Sequence, residues 1–133
     1  MVARHFTELI AWQLANELRE SVVEIIATPG VSKDFTFCRQ IRESADSACA
    51  NIAEGFGRFR PAEFARFLGI AKGSLHETQD HLRSARKRGY VNADEFNALW
   101  RLSIRASTAN SSLQRYLRTR GRKGPPAAEP QEP

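Results

Sequence analysis

Apolar side chains recur along this chain at alternating three- and four-residue spacing and nowhere sustain a two-residue alternation, so the pattern predicts helices rather than strands. Four stretches carry such a stripe. The first runs through Ala11, Ala15, Leu18, Val22 and Ile25, and the second through Cys38, Ile41, Ala45, Ala48 and Ile52. The third holds Phe64, Leu68, Ala71, Leu75, Thr78, Leu82 and Ala85, and the fourth Leu99, Leu102, Ala106, Ala109, Leu113 and Tyr116. Turn chemistry separates them: Thr28-Pro29-Gly30, Gly55 to Gly57, Gly89, and finally Arg120-Gly121. Pro61 suits a first helical turn, and Asn92 with Glu95 three residues on has the form of a capping box. Gly89 suits the left-handed position after the basic turn Arg86-Lys87-Arg88. Helices of roughly 20–28 residues would be ~30–40 Å long. Their short connections imply an all-α, up-down-up-down antiparallel four-helix bundle with crossings of about 20°. The bundle is expected over residues 1–119. A Pro-rich tail, 120–133, holds four of the six prolines and is expected to be disordered.

Projecting each helix at about 100° per residue leaves apolar side chains off the stripes. Leu9, Trp12 and Val23 fall away from the first, Ile70 from the third, and Trp100 and Ile104 from the fourth. Gly69 and Gly73 project onto the outer face of the third helix, four residues apart, where each costs about 1 kcal/mol relative to alanine. Burial against identical subunits accounts for all these features together. Leu9, Trp12, Gly69, Ile70, Gly73, Trp100 and Ile104 are therefore expected at a homo-oligomer interface.

Composition adds limits. At 133 residues the chain is of single-domain size, and 41% hydrophobic content is too high for full disorder. Apolar runs of a few residues exclude a membrane span, and the N-terminus shows no secretion signal, so a cytoplasmic location is expected. Cys38 and Cys49 lie eleven residues apart on one expected helix. That places them ~16 Å apart, too far for a disulfide.

Charge changes the picture more. The net charge is +5, but residues 1–57 hold five Lys/Arg against eight Asp/Glu, whereas 58–124 hold fifteen against five. In an up-down bundle, the start of the first helix, the loop after the second and the end of the fourth share one pole. That pole collects Arg4, Arg58, Arg60, Arg66, Arg115, Arg118, Arg120, Arg122 and Lys123. Phe56 and Phe59 sit among them, where aromatic rings can stack on bases. Arginines at helix C-termini also complement the macrodipole, which covers Arg86-Lys87-Arg88 better than the crowding at the opposite pole.

Catalytic and metal chemistry find little support. His76, Glu77, Asp80 and His81 share helix faces at four-residue spacing, but they project away from the core stripe and no second histidine cluster exists. A solvated face with intrahelical ion pairs accounts for them better than a metal site. No nucleophile–histidine arrangement or phosphate loop appears, so neither enzymatic activity nor a cofactor is expected.

Asn51-Ile52-Ala53-Glu54-Gly55-Phe56-Gly57-Arg58 is a specific block. It stands with Gln40-Ile41-Arg42, Glu63-Phe64-Ala65-Arg66-Phe67-Leu68, Ala71-Lys72-Gly73-Ser74-Leu75-His76-Glu77 and the entry Phe6-Thr7-Glu8-Leu9-Ile10-Ala11-Trp12-Gln13. Over about residues 5–118 the chain resembles the four helix bundle protein family encoded in 23S rRNA intervening sequences, also called S23 ribosomal-protein-like. The resemblance implies a four-helix protomer, assembly as a homopentamer around a central channel, and a role on RNA or other nucleic acid. It extends to accessory variability proteins of diversity-generating retroelements, which bind a reverse transcriptase and nucleic acid. Ser47-Ala48-Cys49-Ala50 departs from the family, which usually carries Ile-Pro there, so no proline kink is expected. Within the block, Asn51, Ile52, Ala53, Glu54 and Gly55 read as mainly structural: Ile52 is core, Gly55 lies near the inward stripe, Asn51 flanks it, and Glu54 projects outward to pair with Arg58 or with a neighbouring subunit. The expected function is a non-enzymatic homo-oligomeric module binding RNA or another nucleic acid through the basic pole. The alternative is a protein-interaction adaptor docking a partner such as a reverse transcriptase.

Overall fold

The computed structural model describes residues 2–122, with side chains as far as Arg120. A 3-10 turn at Phe6–Glu8 leads into α1 (Ile10–Ile26), followed by the short α2 (Pro29–Ser32) and the long helices α3 (Phe35–Phe56), α4 (Pro61–Lys87) and α5 (Ala93–Arg122). Each long helix packs on two others, with α1 against α5 closing the ring. Cross-helix contacts fix the antiparallel sense of the neighbouring pairs. Arg19 meets Asp46 at 3.7 Å. Ser47 bonds Ser74, and Ser44 bonds Thr78, both at 2.8 Å. Gln79 donates to Ser103 at 3.2 Å, while Asn110 donates to the Leu68 carbonyl at 2.8 Å. Between α3 and α4, and between α4 and α5, residue numbers rise on one helix as they fall on the other. The end of α1 (Ser21, Glu24, Ile25) lies beside the start of α5 (Glu95, Ala98, Leu99), as in an up-down-up-down bundle.

The stripes meet in one core. Leu18, Ile41, Ile52, Phe64, Leu68, Leu75, Leu82, Leu113 and Leu117 are all at most 1% exposed. Each such side chain contributes about 1.5–3 kcal/mol by leaving water. The helix ends follow their sequence signals. Asn92 Oδ1 accepts from the Glu95 amide and Glu95 Oε1 from the Asn92 amide, both at 2.8 Å, which closes the capping box. Gly89 takes φ 78°, a left-handed conformation that costs glycine nothing. Asp34 caps α3 by accepting from the Phe37 amide at 3.2 Å. Both cysteines are free thiols. Burial pushes the Cys49 thiol up to about 11.

Three sequence expectations need correction here. Leu9 is 0% exposed within a single chain. It precedes α1 in extended backbone (φ −75°, ψ 128°), so a helical projection does not describe its direction. Trp12 is half-buried against the core, with the Phe6 ring of the 3-10 turn edge-on to it at 5.3 Å. Gly69 faces α5 rather than open space, since a Cβ there would stand 3.0 Å from Gln114 Nε2. The end of the bundle also shifts, because α5 continues through Arg122. Gly121 weakens a helix by about 1 kcal/mol but does not stop one. The remaining tail, 123–133, lies outside the described residues.

Candidate nucleic-acid interface

The pole where α3 ends and α4 begins is built by a close approach. Gly55 is buried, and a Cβ on it would sit 2.8 Å from Phe67 Cβ and 2.9 Å from Phe64 Cδ1. Glycine therefore lets α3 and α4 converge, and the chain turns through residues 57–60 in the space that remains. Gly57 ends α3 with its amide bonded to the Ala53 and Glu54 carbonyls, and Pro61 opens α4. This brings Arg58 back over the first turns of α4. Its guanidinium carbon lies 4.8 Å from the centroid of the Phe67 ring, and that of Arg66 lies 4.7 Å from the same centroid. One ring thus holds two cations, each contact worth about 0.5–1 kcal/mol at an exposed site. Glu54 meets Arg58 at 3.9 Å, a loose and exposed pair that neutralises little. Phe59 projects from the loop fully exposed.

The end of α5 is locked beside this loop. Gln114 Nε2 donates to the Ala65 carbonyl at 2.9 Å, one turn beyond the Asn110–Leu68 bond. These two bonds set Arg115 and Arg118, both exposed, at the level of Arg66 and Pro61. Arg115 is 3.5 Å from Ser112 Oγ. The Arg120 guanidinium lies 5.9 Å from the Tyr116 ring centroid, and its Nε is shielded with no hydrogen-bond partner among the described residues. Arg60, exposed, precedes α4 without capping it through its side chain. Arg4 precedes the 3-10 turn and is anchored by its backbone amide, which donates to Glu8 at 3.1 Å. Arg4, Arg58, Arg60, Arg66, Arg115, Arg118 and Arg120 therefore gather at one end, where the acids are Glu8, Glu54 and Glu63. Among the described residues, none of Arg60, Arg66, Arg115 and Arg118 has a carboxylate within 4.0 Å. Arg122 closes α5 in the same direction, but its side chain, like Lys123, lies outside the described residues.

The rest of the motif block is structural in its contacts. Ile52 is fully buried, and Asn51 turns its amide onto Ser47, donating to the carbonyl at 2.8 Å and to Oγ at 3.1 Å. Asn51, Ser47 and Ser74 form a polar seam between α3 and α4, and position counting alone did not reveal it. Of the expected interface residues, Ile70 and Ile104 are 43% and 45% exposed, and Gly73 opens onto empty space. Trp100 is half-buried and stacked on Phe96 at 5.5 Å. His76, Glu77 and Asp80 are exposed, and among the described residues no group of three or more His, Cys, Asp or Glu is placed to hold a metal ion. No helix of the described residues is long and apolar enough to cross a membrane.

Arg88 has a specific partner that its place in a basic run concealed. Its Nη1 meets Asp34 Oδ2 at 2.6 Å, and the Tyr90 hydroxyl donates to the same oxygen at 2.6 Å. This clasp ties the start of α3 to the loop after α4, at the end of the bundle opposite Arg58. The Tyr90 hydrogen bond first, then the Phe37 amide, hold the Asp34 carboxyl below its ordinary 3.8.

A crystal structure of a protein of unknown function from the S23 ribosomal protein family of Bacteroides thetaiotaomicron VPI-5482, at 1.70 Å resolution, superposes with a TM-score of 0.71. The two chains are 21% identical over 79% of this chain and 98% of that one, a likeness of fold. No curated protein matches the chain. The sequence model for 23S rRNA-intervening sequence proteins matches residues 7–110, from the 3-10 turn to the middle of α5. That match covers the loop, the Gly55 approach and most of all four long helices, and the chain belongs to the 23S rRNA-intervening sequence protein family.

Proposed function

We propose that this protein is a non-enzymatic, self-associating helical module that binds RNA or another nucleic acid through the arginine-rich end of the bundle. The observation that carries the reading is the convergence of Arg58 and Arg66 on the one ring of Phe67, beside the fully exposed Phe59. Two guanidiniums on one ring concentrate positive charge at this end, and a phosphate bound there releases condensed counterions. Guanidinium forks match phosphate oxygens bidentately, and an exposed phenyl ring stacks on any base, so the site favours backbone contact with little sequence preference. Self-association through Ile70, Gly73, Trp100 and Ile104, as the pentamer implied by the family resemblance requires, multiplies the cationic end on one assembly. An RNA partner also fits work in the cytosol.

The test is fluorescence anisotropy with labelled single-stranded RNAs of several sequences. The variant R58A/R60A/R118A removes three exposed side chains, of which Arg58 alone packs on a buried ring, Phe67, a contact worth about 0.5–1 kcal/mol, so circular dichroism first checks that the variant is folded. It should lower affinity about tenfold or more, to a similar extent for every sequence. Unchanged binding would overturn the reading.

A further inference from the structure

We propose that the opposite end of the bundle carries a second phosphate-binding site, a cleft between the end of α4 and the start of α5 shaped for a nucleotide unit. The cleft has a volume of about 480 Å³ and is lined by Asp80, Arg83, Ser84, Arg86, Lys87 and Phe96. That volume lies within the roughly 300–1,000 Å³ of small-ligand sites. Among the described residues none of its three cations has a carboxylate within 4.0 Å, in contrast to Arg88 next in the chain, which Asp34 occupies. Complementing the helix dipole accounts for cations in the last turn only, and Arg83 lies upstream of it. Three cations without a carboxylate partner, and the Ser84 hydroxyl, which accepts from Arg88 Nε at 3.1 Å and keeps its own proton to donate, surround one hollow as donors for phosphate oxygens.

The remaining walls fit the rest of a nucleotide. Asp80 stands two turns before Lys87, about 10 Å along the helix. A carboxylate there repels phosphate but accepts hydrogen bonds from ribose hydroxyls or a base amino group, which orients the ligand with its phosphates toward Lys87. Phe96 is half-buried and braced by Trp100, whose ring stacks on it at 5.5 Å with an interplanar angle of 23°. A braced aromatic wall suits a base, and such stacking is worth about 1–3 kcal/mol. Along α4 the cleft begins about 10 Å from Gly73 at Asp80 and ends about 21 Å away at Lys87, and through the Phe96–Trp100 stack it borders the surface expected between copies. The ligand chemistry is a phosphorylated nucleoside, either free or as one unit of a nucleic-acid strand.

Calorimetric titration of the full chain distinguishes these sources, using ADP, inorganic pyrophosphate and a short oligouridine as probes. Working in the R58A/R60A/R118A background weakens the arginine-rich end, and R83Q/K87Q lies at the opposite end, so the two sites fail separately. R83Q/K87Q should weaken ADP and pyrophosphate binding about tenfold or more. D80N should weaken ADP several-fold while leaving pyrophosphate, which has no hydroxyl or base to offer, no weaker. Oligouridine binding lost in R83Q/K87Q identifies a strand as a ligand, whereas ADP binding without it identifies the free nucleotide. Absence of binding by all three probes at millimolar concentration, or binding that R83Q/K87Q leaves intact in a protein folded by circular dichroism, would overturn the second site. Neither result bears on the first.

Discussion

Gly55→Ala probes the approach that places Arg58 over α4. In a helix interior, alanine gains about 1 kcal/mol over glycine. Here the added Cβ would meet Phe67 Cβ at 2.8 Å and the Phe64 ring at 2.9 Å. Phe67 Cβ is fixed to the backbone, so no rotamer change relieves the overlap and α4 itself must move. Overpacking of this kind costs about 1–3 kcal/mol, and a backbone shift belongs at the upper end. The balance is a net loss of about 2 kcal/mol, or a fall of roughly 8 °C in Tm for a domain of this size. Gly57→Ala is the internal control, two residues on, at φ −75° with its nearest new contact at 3.4 Å. It should be neutral or up to about 1 kcal/mol stabilising. Urea unfolding followed by far-UV circular dichroism, at one protein concentration so that self-association does not intrude, reads both. Gly55→Ala as stable as wild type would refute the close-approach reasoning.

Two other outcomes follow from the same contacts. Gly73→Leu puts a branched side chain where the isolated protomer leaves empty space, so it should spare the monomer fold but reduce the assembly mass seen by light scattering. A wild-type monomer at micromolar concentration would contradict the interface. Asp34→Asn tests the clasp through pH. A carboxyl held below 3.8 lends stability above that pH and loses it as pH falls through the lowered folded value. The variant's urea midpoint should therefore lie below wild type at pH 7 and approach it near pH 2, and an equal gap at both would count against the clasp.

The fold was legible because periodicity and caps agreed: the stripe residues, Gly89, and the Asn92–Glu95 box all occupy the positions their chemistry favours. Where reading failed, the cause was local geometry that a uniform helix cannot represent. Leu9 sits before α1, and Trp12 is covered by a 3-10 turn that no stripe announced. Gly69 faces Gln114 because two amide-to-carbonyl bonds draw α5 toward α4, and neither amide belongs to an apolar pattern. The arginines of the basic end could be grouped from topology alone. That Arg58 and Arg66 share the Phe67 ring could not, since it depends on how tightly the loop turns at Gly55.

Salt dependence of RNA affinity tests the phosphate-binding end most directly. Wild-type log affinity should fall linearly with log salt, and R58A/R60A/R118A should flatten that line by about 2 units, at roughly 0.7 per lost single-strand phosphate contact. A line of unchanged slope in the variant would mean that these arginines touch no phosphate.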